Sequence, residues 1–285
     1  MSAVSPEQGE LETVGEAAPS GESGESAAEV RQLRHPRVKV LGDVELEAPA
    51  GTELAEKDRS QALELIAYLS LTPGATNEQL SAALWPGREA KNATRNSAVS
   101  RARRWLGVDH TGAPYLPIAT TAENFGTYSL SHVSTDWDEF LALLGDDASK
   151  TATRQLREAL GMVRGRPFAS ARAGKYTWAE PHLQEMISSI VDVAHEVSRR
   201  SLLEGDADGA RWASGVGLEV TSDDERLWRN AIRAEWLRGD QQALWALVKR
   251  CYEHLEDLGV EPEAETEALV AELRTASVRR NVAAR

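Results

Sequence analysis

The chain has 285 residues and a formal net charge of −13, from 32 Lys and Arg against 45 Asp and Glu. A hydrophobic content of 41% excludes a wholly disordered chain, and no apolar run reaches the roughly 18 residues of a membrane span. Cys251 is the single cysteine, so an internal disulfide is excluded; with no basic-led apolar opening either, the expectation is a cytoplasmic protein of about two domains.

Residues 1–30 hold seven Glu and no Lys or Arg, with Val4, Leu11, Val14 and Val30 as the large apolar side chains. Such a stretch cannot offset the entropy of ordering. It reads as a disordered acidic tail or linker, or as a decoy that competes with DNA for a basic surface. From Arg37 the pattern turns to β: Val38 and Val40, then Val44 and Leu46, alternate with charged residues around Gly42-Asp43, predicting two short strands and a turn. A helix follows from about Asp58, which is placed to cap it, with Ala62, Leu65, Ile66 and Leu69 as its apolar stripe and Pro73-Gly74 ending it. Thr76 with Gln79 forms a capping box for a second, short helix that stops at Pro86-Gly87. A third helix is predicted over about Ala90–Leu106, capped by Gly107. Two extended stretches, 115–119 and 126–130, then read as a hairpin.

Charge is unevenly spread: −7 over residues 1–30, +1 over 31–134 and −7 over 135–285. Between Arg88 and Leu106 six basic residues face Glu89 alone. Helix, short helix, basic helix and hairpin is the order of a winged helix–turn–helix, whose third helix enters the major groove. Val99, Ala102 and Leu106 fix the inner side of that helix, so Arg95, Asn96, Ser100, Arg101 and Arg104 lead the outer one. Asn96 suits an adenine edge and Arg101 a guanine edge, whereas Arg88, Lys91 and Arg103 suit phosphates. The alternative is a basic helix that binds no DNA, in a module built for a protein or signal ligand.

After Ser134 the sequence reads as helix. Asp136 is placed to cap a short one with Trp137, Phe140, Leu141 and Leu144; the next spans about 152–163, and a long amphipathic helix covers about 178–203. Leu203-Glu204-Gly205-Asp206 recurs as Leu237-Arg238-Gly239-Asp240 at an offset of 34, the tetratricopeptide period. Gly ends one helix and Asp caps the next. Trp178, Trp212, Trp228, Trp236 and Trp245 fall at helical spacing and are expected in the core. Six His and one Cys are scattered without metal-ligand spacing, Asp223-Asp224 reads as helix N-terminal charge, and there is neither a glycine-rich phosphate loop nor a Gly-x-Ser-x-Gly elbow. No enzyme, metal or cofactor is expected.

The fold class expected is mainly α with a small β part: an acidic tail over 1–30, a winged helix–turn–helix over 31–134 and an all-α, tetratricopeptide-like helical-repeat domain over 135–278. Val38-Lys39-Val40-Leu41-Gly42, Leu80-Ser81-Ala82-Ala83-Leu84-Trp85-Pro86, the run Val99–Gly107 and Gly126-Thr127-Tyr128-Ser129-Leu130 resemble the DNA-binding domain of Streptomyces antibiotic regulatory proteins. Trp137-Asp138-Glu139-Phe140, Gly165-Arg166-Pro167-Phe168, Trp178-Ala179-Glu180 and Leu258-Gly259-Val260-Glu261-Pro262 resemble the bacterial transcriptional activator domain that follows it in that family. The resemblance implies a regulator that binds double-stranded DNA near a promoter. Its helical domain would contact RNA polymerase or another regulator, or form homo-oligomers, without touching a membrane. The chain would then be the C-terminal part of a larger actinobacterial protein.

Overall fold

A computed structural model describes residues 35–88, 90–119, 126–169 and 174–283. The acidic stretch 1–30 and the connection 120–124 lie outside the described residues. Strand β1 (Arg37–Lys39) pairs antiparallel with β2 (Glu45–Glu47), placing Val38 opposite Leu46 as the alternation predicts. Helix α1 (Glu56–Leu71) buries Ala62, Leu65, Ile66 and Leu69. It starts earlier than expected: Ala55 is its N-cap and Asp58 lies in its first turn, so Asp58 does not cap it. Strand β3 (Ala75–Thr76) leads into α2 (Asn77–Leu84), where Thr76 and Gln79 form the predicted capping box. Helix α3 (Asn92–Leu106) ends at Gly107, which adopts a φ of 79°.

The predicted hairpin is altered. Strand β4 (Thr127–Tyr128) takes β3 as its ladder partner. The 115–119 arm meets the 126–131 side through Gly126 N–H to Ala119 O (2.8 Å) and Ser131 N–H to Tyr115 O (2.9 Å). Pro117 supplies no N–H in the middle of that arm, which breaks a continuous ladder.

Strand β5 (Ser134–Thr135) adds parallel to β1, giving the order β2-β1-β5, and runs straight into α4 (Asp136–Leu144). Thr135, not Asp136, caps α4, its hydroxyl accepting from Asp138 N–H at 2.9 Å. Asp136 is buried and points the other way, accepting from the N–H groups of Val40 (2.7 Å) and Leu41 (3.2 Å), with Arg164 Nη2 at 3.4 Å. Helix α5 (Thr153–Leu160) follows, and then a strap that returns to β1: Arg164 N–H bonds Leu41 O and Phe168 N–H bonds Val40 O. Tyr176 N–H closes on the buried carboxylate of Glu64 in α1 at 2.9 Å. Trp178 packs edge-on against Tyr68 of the same helix.

A one-turn 3-10 helix (Thr177–Ala179) opens α6 (Glu180–Glu204), followed by α7 (Ala207–Val220), α8 (Glu225–Arg238), α9 (Gln241–Leu258) and α10 (Ala264–Ala283). The 34-residue repeat appears as expected. Gly205 and Gly239 are left-handed C-caps, and the next residues, Asp206 and Asp240, accept from Gly209 N–H and Ala243 N–H. One apolar cluster runs from Val38 through Trp137, Phe140 and Ile190 to Leu227, crossing residue 134 without a gap. A second joins Ile232, Leu244, Val248 and Leu273 of α8, α9 and α10. Of the five tryptophans expected in the core, Trp228 is buried and Trp178, Trp236 and Trp245 are half-buried. Trp212 is instead 40% exposed, because its side of α7 faces an open groove.

Candidate nucleic-acid interface

Helix α3 owes its orientation to Ala98, Val99, Ala102, Trp105 and Leu106, all buried. What remains outward is a stripe of Ala93, Asn96, Ser97, Ser100 and Arg104, spaced by three or four residues and exposed. The helix is also held at its C-terminal end. An extended strip donates three backbone bonds to its last carbonyls: Ala50 N–H to Leu106 O (3.0 Å), Gly51 N–H to Trp105 O (3.0 Å) and Thr52 N–H to Arg104 O (2.9 Å). These are the orphan acceptors that any helix end must satisfy. A Cβ at Gly51 would collide with Arg104 O and stand 2.6 Å from Trp105 O, so glycine is required for this approach.

The six basic side chains of this region divide into two groups. Arg88, Lys91 and Arg104 are exposed and form no ion pair among the described residues. The other three are turned onto the protein. Arg95 spans from Ser81 Oγ (3.3 Å) on α2 to Asn92 Oδ1 (2.8 Å). Arg101 reaches back to α1, donating to Gln61 Oε1 (2.7 Å) with Asp58 Oδ1 at 3.6 Å. Arg103 donates Nε to Leu116 O (2.7 Å) and Nη2 to Pro117 O (3.2 Å), and burial pushes its pKa below the usual guanidinium value. Asn96 and Ser100 stand on the outward stripe with Arg104. The sequence-based selection therefore combines residues on an open face with residues that hold that face in place. It missed Asp58 and Gln61, whose link to Arg101 spans about 40 residues and leaves no local signal.

A second concave feature lies on the helical repeat. α7, α8 and α9 enclose a groove of about 890 Å³, walled by Gly215, Ala243 and Ala246, with Trp212 and Arg250 on its rims. Glu235, buried at its floor, pairs with Arg211 Nε at 2.9 Å, and Arg250 lies over the Trp228 ring at 5.8 Å. Among the described residues no group of three His, Cys, Asp or Glu is placed to hold a metal ion, and no described helix is long and apolar enough to cross a membrane.

Residues 135–274 match the family model described as the bacterial transcriptional activator domain. This part of the chain, from β5 to α10, is that domain, and the match points to transcription regulation rather than enzymatic chemistry. A solved structure of Mycobacterium tuberculosis EmbR in complex with a low-affinity phosphopeptide is similar over 85% of this chain, with a TM-score of 0.57 and 21% identity. The chain spans 65% of the length of that structure, and at this identity the likeness is one of fold. No curated protein matches the chain.

Proposed function

We propose that the chain is a DNA-binding transcriptional regulator of the Streptomyces antibiotic regulatory type, in which α1, α2 and α3 act as a winged helix–turn–helix. The observation that carries this reading is the outward stripe of α3, polar and, among the described residues, without side-chain partners at Asn96, Ser100 and Arg104, in front of a bacterial transcriptional activator domain. In this reading α3 lies in the major groove. Asn96 and Ser100 face base edges, and Arg104, Arg88 and Lys91 take phosphates. Arg95 and Arg103 contribute by fixing α3 against α2 and the 115–119 arm, and Arg101 stands at the edge of the stripe as a candidate for guanine.

The test is a mobility shift with a pool of promoter fragments at about 50 mM salt, where phosphate contacts are strongest. Retardation is expected, and Arg104→Ala should weaken it on all sequences and lower the log–log salt slope by ~1. Absence of retardation on every fragment would falsify the reading.

A second reading concerns the helical domain as a protein-contact surface. It is favoured by Trp212, a large aromatic left open in a groove rather than buried. RNA polymerase, another regulator or a second copy of the chain are the partners this reading offers, in the cytoplasm.

A further inference from the structure

We propose that Asp58 and Gln61 of α1 form a latch that holds Arg101 off the DNA until a fitting site draws it out, so that these two residues restrain binding to random sequence. The inference rests on the DNA-binding reading above. Arg101 is the arginine of α3 that meets a carboxylate among the described residues, and it does so on a different helix. Its fork is divided between Gln61 Oε1 at 2.7 Å, Ser97 Oγ at 3.2 Å and Asp58 Oδ1 at 3.6 Å. Both ends of the ion pair are partly wet, with side chains 25% and 29% exposed.

The latched arrangement is incomplete. An arginine carries five N–H donors in a fixed fork, and here Nε is buried with no hydrogen-bond partner. An unmet buried donor is costly, so this guanidinium has a better position available if two well-placed acceptors present themselves. A guanine edge offers O6 and N7 together, in a geometry that matches the fork. A phosphate met in passing on random DNA offers no more than Asp58 already does. Asp58 and Gln61 thus compete on nearly equal terms with a non-specific contact and on poor terms with a specific one. On random sequence the latch cancels the contact that Arg101 would otherwise give, whereas a guanine edge still outcompetes it.

The experiment uses the full chain and a fluorescein-labelled random duplex of about two helical turns, ~20 bp, followed by fluorescence anisotropy at several salt concentrations. Four proteins form a cycle: the unmodified chain, Asp58→Asn, Arg101→Ala and the double variant, with Glu56→Gln as a control for the loss of one charge from the same helix. Asp58→Asn should tighten binding to the random duplex about 3- to 10-fold and steepen the salt slope by ~1 as Arg101 becomes free for phosphate. The gain should disappear in the Arg101→Ala background, and Gln61→Ala should reproduce part of it.

An equal gain with Glu56→Gln, or a gain that persists without Arg101, overturns the latch and leaves only a general field effect. An unchanged or weaker affinity also overturns it. The latch has a readout that needs no DNA, the Arg101 Nε–H resonance in solution. It should be protected from exchange in the unmodified chain and lose that protection in Asp58→Asn. If no duplex binds any variant but this difference is present, the latch stands and the DNA-binding reading falls. If the resonance is the same in both proteins, the latch falls whatever the duplex does.

Discussion

Replacing Gly51 by alanine is expected to cost about 2–4 kcal/mol, although it adds a single methyl group. Gly51 is the middle residue of the strip that closes the end of α3, and its three backbone bonds at 2.9–3.0 Å leave no room for a side chain. The new Cβ would collide with Arg104 O, and it would stand 2.6 Å from Trp105 O and 2.8 Å from Gly107 N. These are backbone atoms that cannot rotate away, so the strip must lift. Two or three bonds worth about 0.5–1.5 kcal/mol each are then lost, and helix carbonyls are uncovered. At 2–4 °C per kcal/mol for a chain of this size, the melting temperature should fall by ~5–15 °C. The urea midpoint should fall with an unchanged slope, since the surface exposed on unfolding is the same. Gly215→Ala is the control, because it is the same chemical change in the exposed middle of α7, with nothing within 4 Å of the added Cβ. There the alanine should stabilise by up to ~1 kcal/mol through helix propensity. If the two variants shift the urea midpoint in the same direction by similar amounts, the close approach of the 50–52 strip to α3 is refuted.

Arg103→Ala removes two bonds to the carbonyls of the 115–119 arm and should cost about 1–3 kcal/mol while leaving the salt slope of DNA binding unchanged, in contrast to Arg104→Ala; anisotropy titrations of both variants decide this. Glu196→Gln tests a pH dependence. The Arg199 guanidinium, aided by Arg200, holds the Glu196 carboxyl down at about 2 from an ordinary 4.5. A lowered folded-state pKa means stability that is present above 4.5 and lost as pH falls toward 2, so the glutamine variant should show a flatter acid limb in urea titrations over that window. Trp212→Ala should leave the melting temperature within a few degrees, ~3 °C, because the ring is already 40% exposed, yet lower the capture of polymerase by the DNA-bound protein. Unchanged capture removes the groove from consideration as that surface.

Features set by neighbours along the chain were legible in the sequence. The Thr76–Gln79 capping box, the inner face of α3 and the turns at Gly205 and Gly239 each depend on residues within one helical turn. What escaped depends on distant partners. Asp136 has the side chain of a cap, but two backbone N–H groups 95 and 96 residues away use its carboxylate instead. Arg101 and Arg103 fall where the helical period allows an outward side chain, and long side chains can also fold back. Whether they do depends on acceptors on α1 and the 115–119 arm that no spacing rule announces. Trp212 shows the same gap in reverse, since the period marks the apolar side of α7 without saying whether another helix covers it.

The division of the arginines also bears on how such a protein would hold DNA. Six basic side chains between Arg88 and Leu106 suggest a strong electrostatic footprint, yet Arg95, Arg101 and Arg103 are held by the protein itself. Arg88, Lys91 and Arg104 have no ion pair among the described residues, and three phosphate contacts would give a log–log salt slope of about −2.7 per subunit. Affinity would then fall about 40-fold between 50 and 200 mM salt, from a modest starting level. The acidic balance of the helical half, −7 over residues 135–285, adds nothing attractive. If α3 reads DNA, a single helix of this kind would therefore bind random DNA weakly. Firm occupancy of a promoter would need two subunits on adjacent repeats, which doubles the contacts, or a partner that holds the complex through the helical repeat. On the DNA-binding reading, the small number of open cations would make the two parts of the chain depend on each other: α3 would supply discrimination, and association through the repeat domain would supply the affinity that α3 lacks.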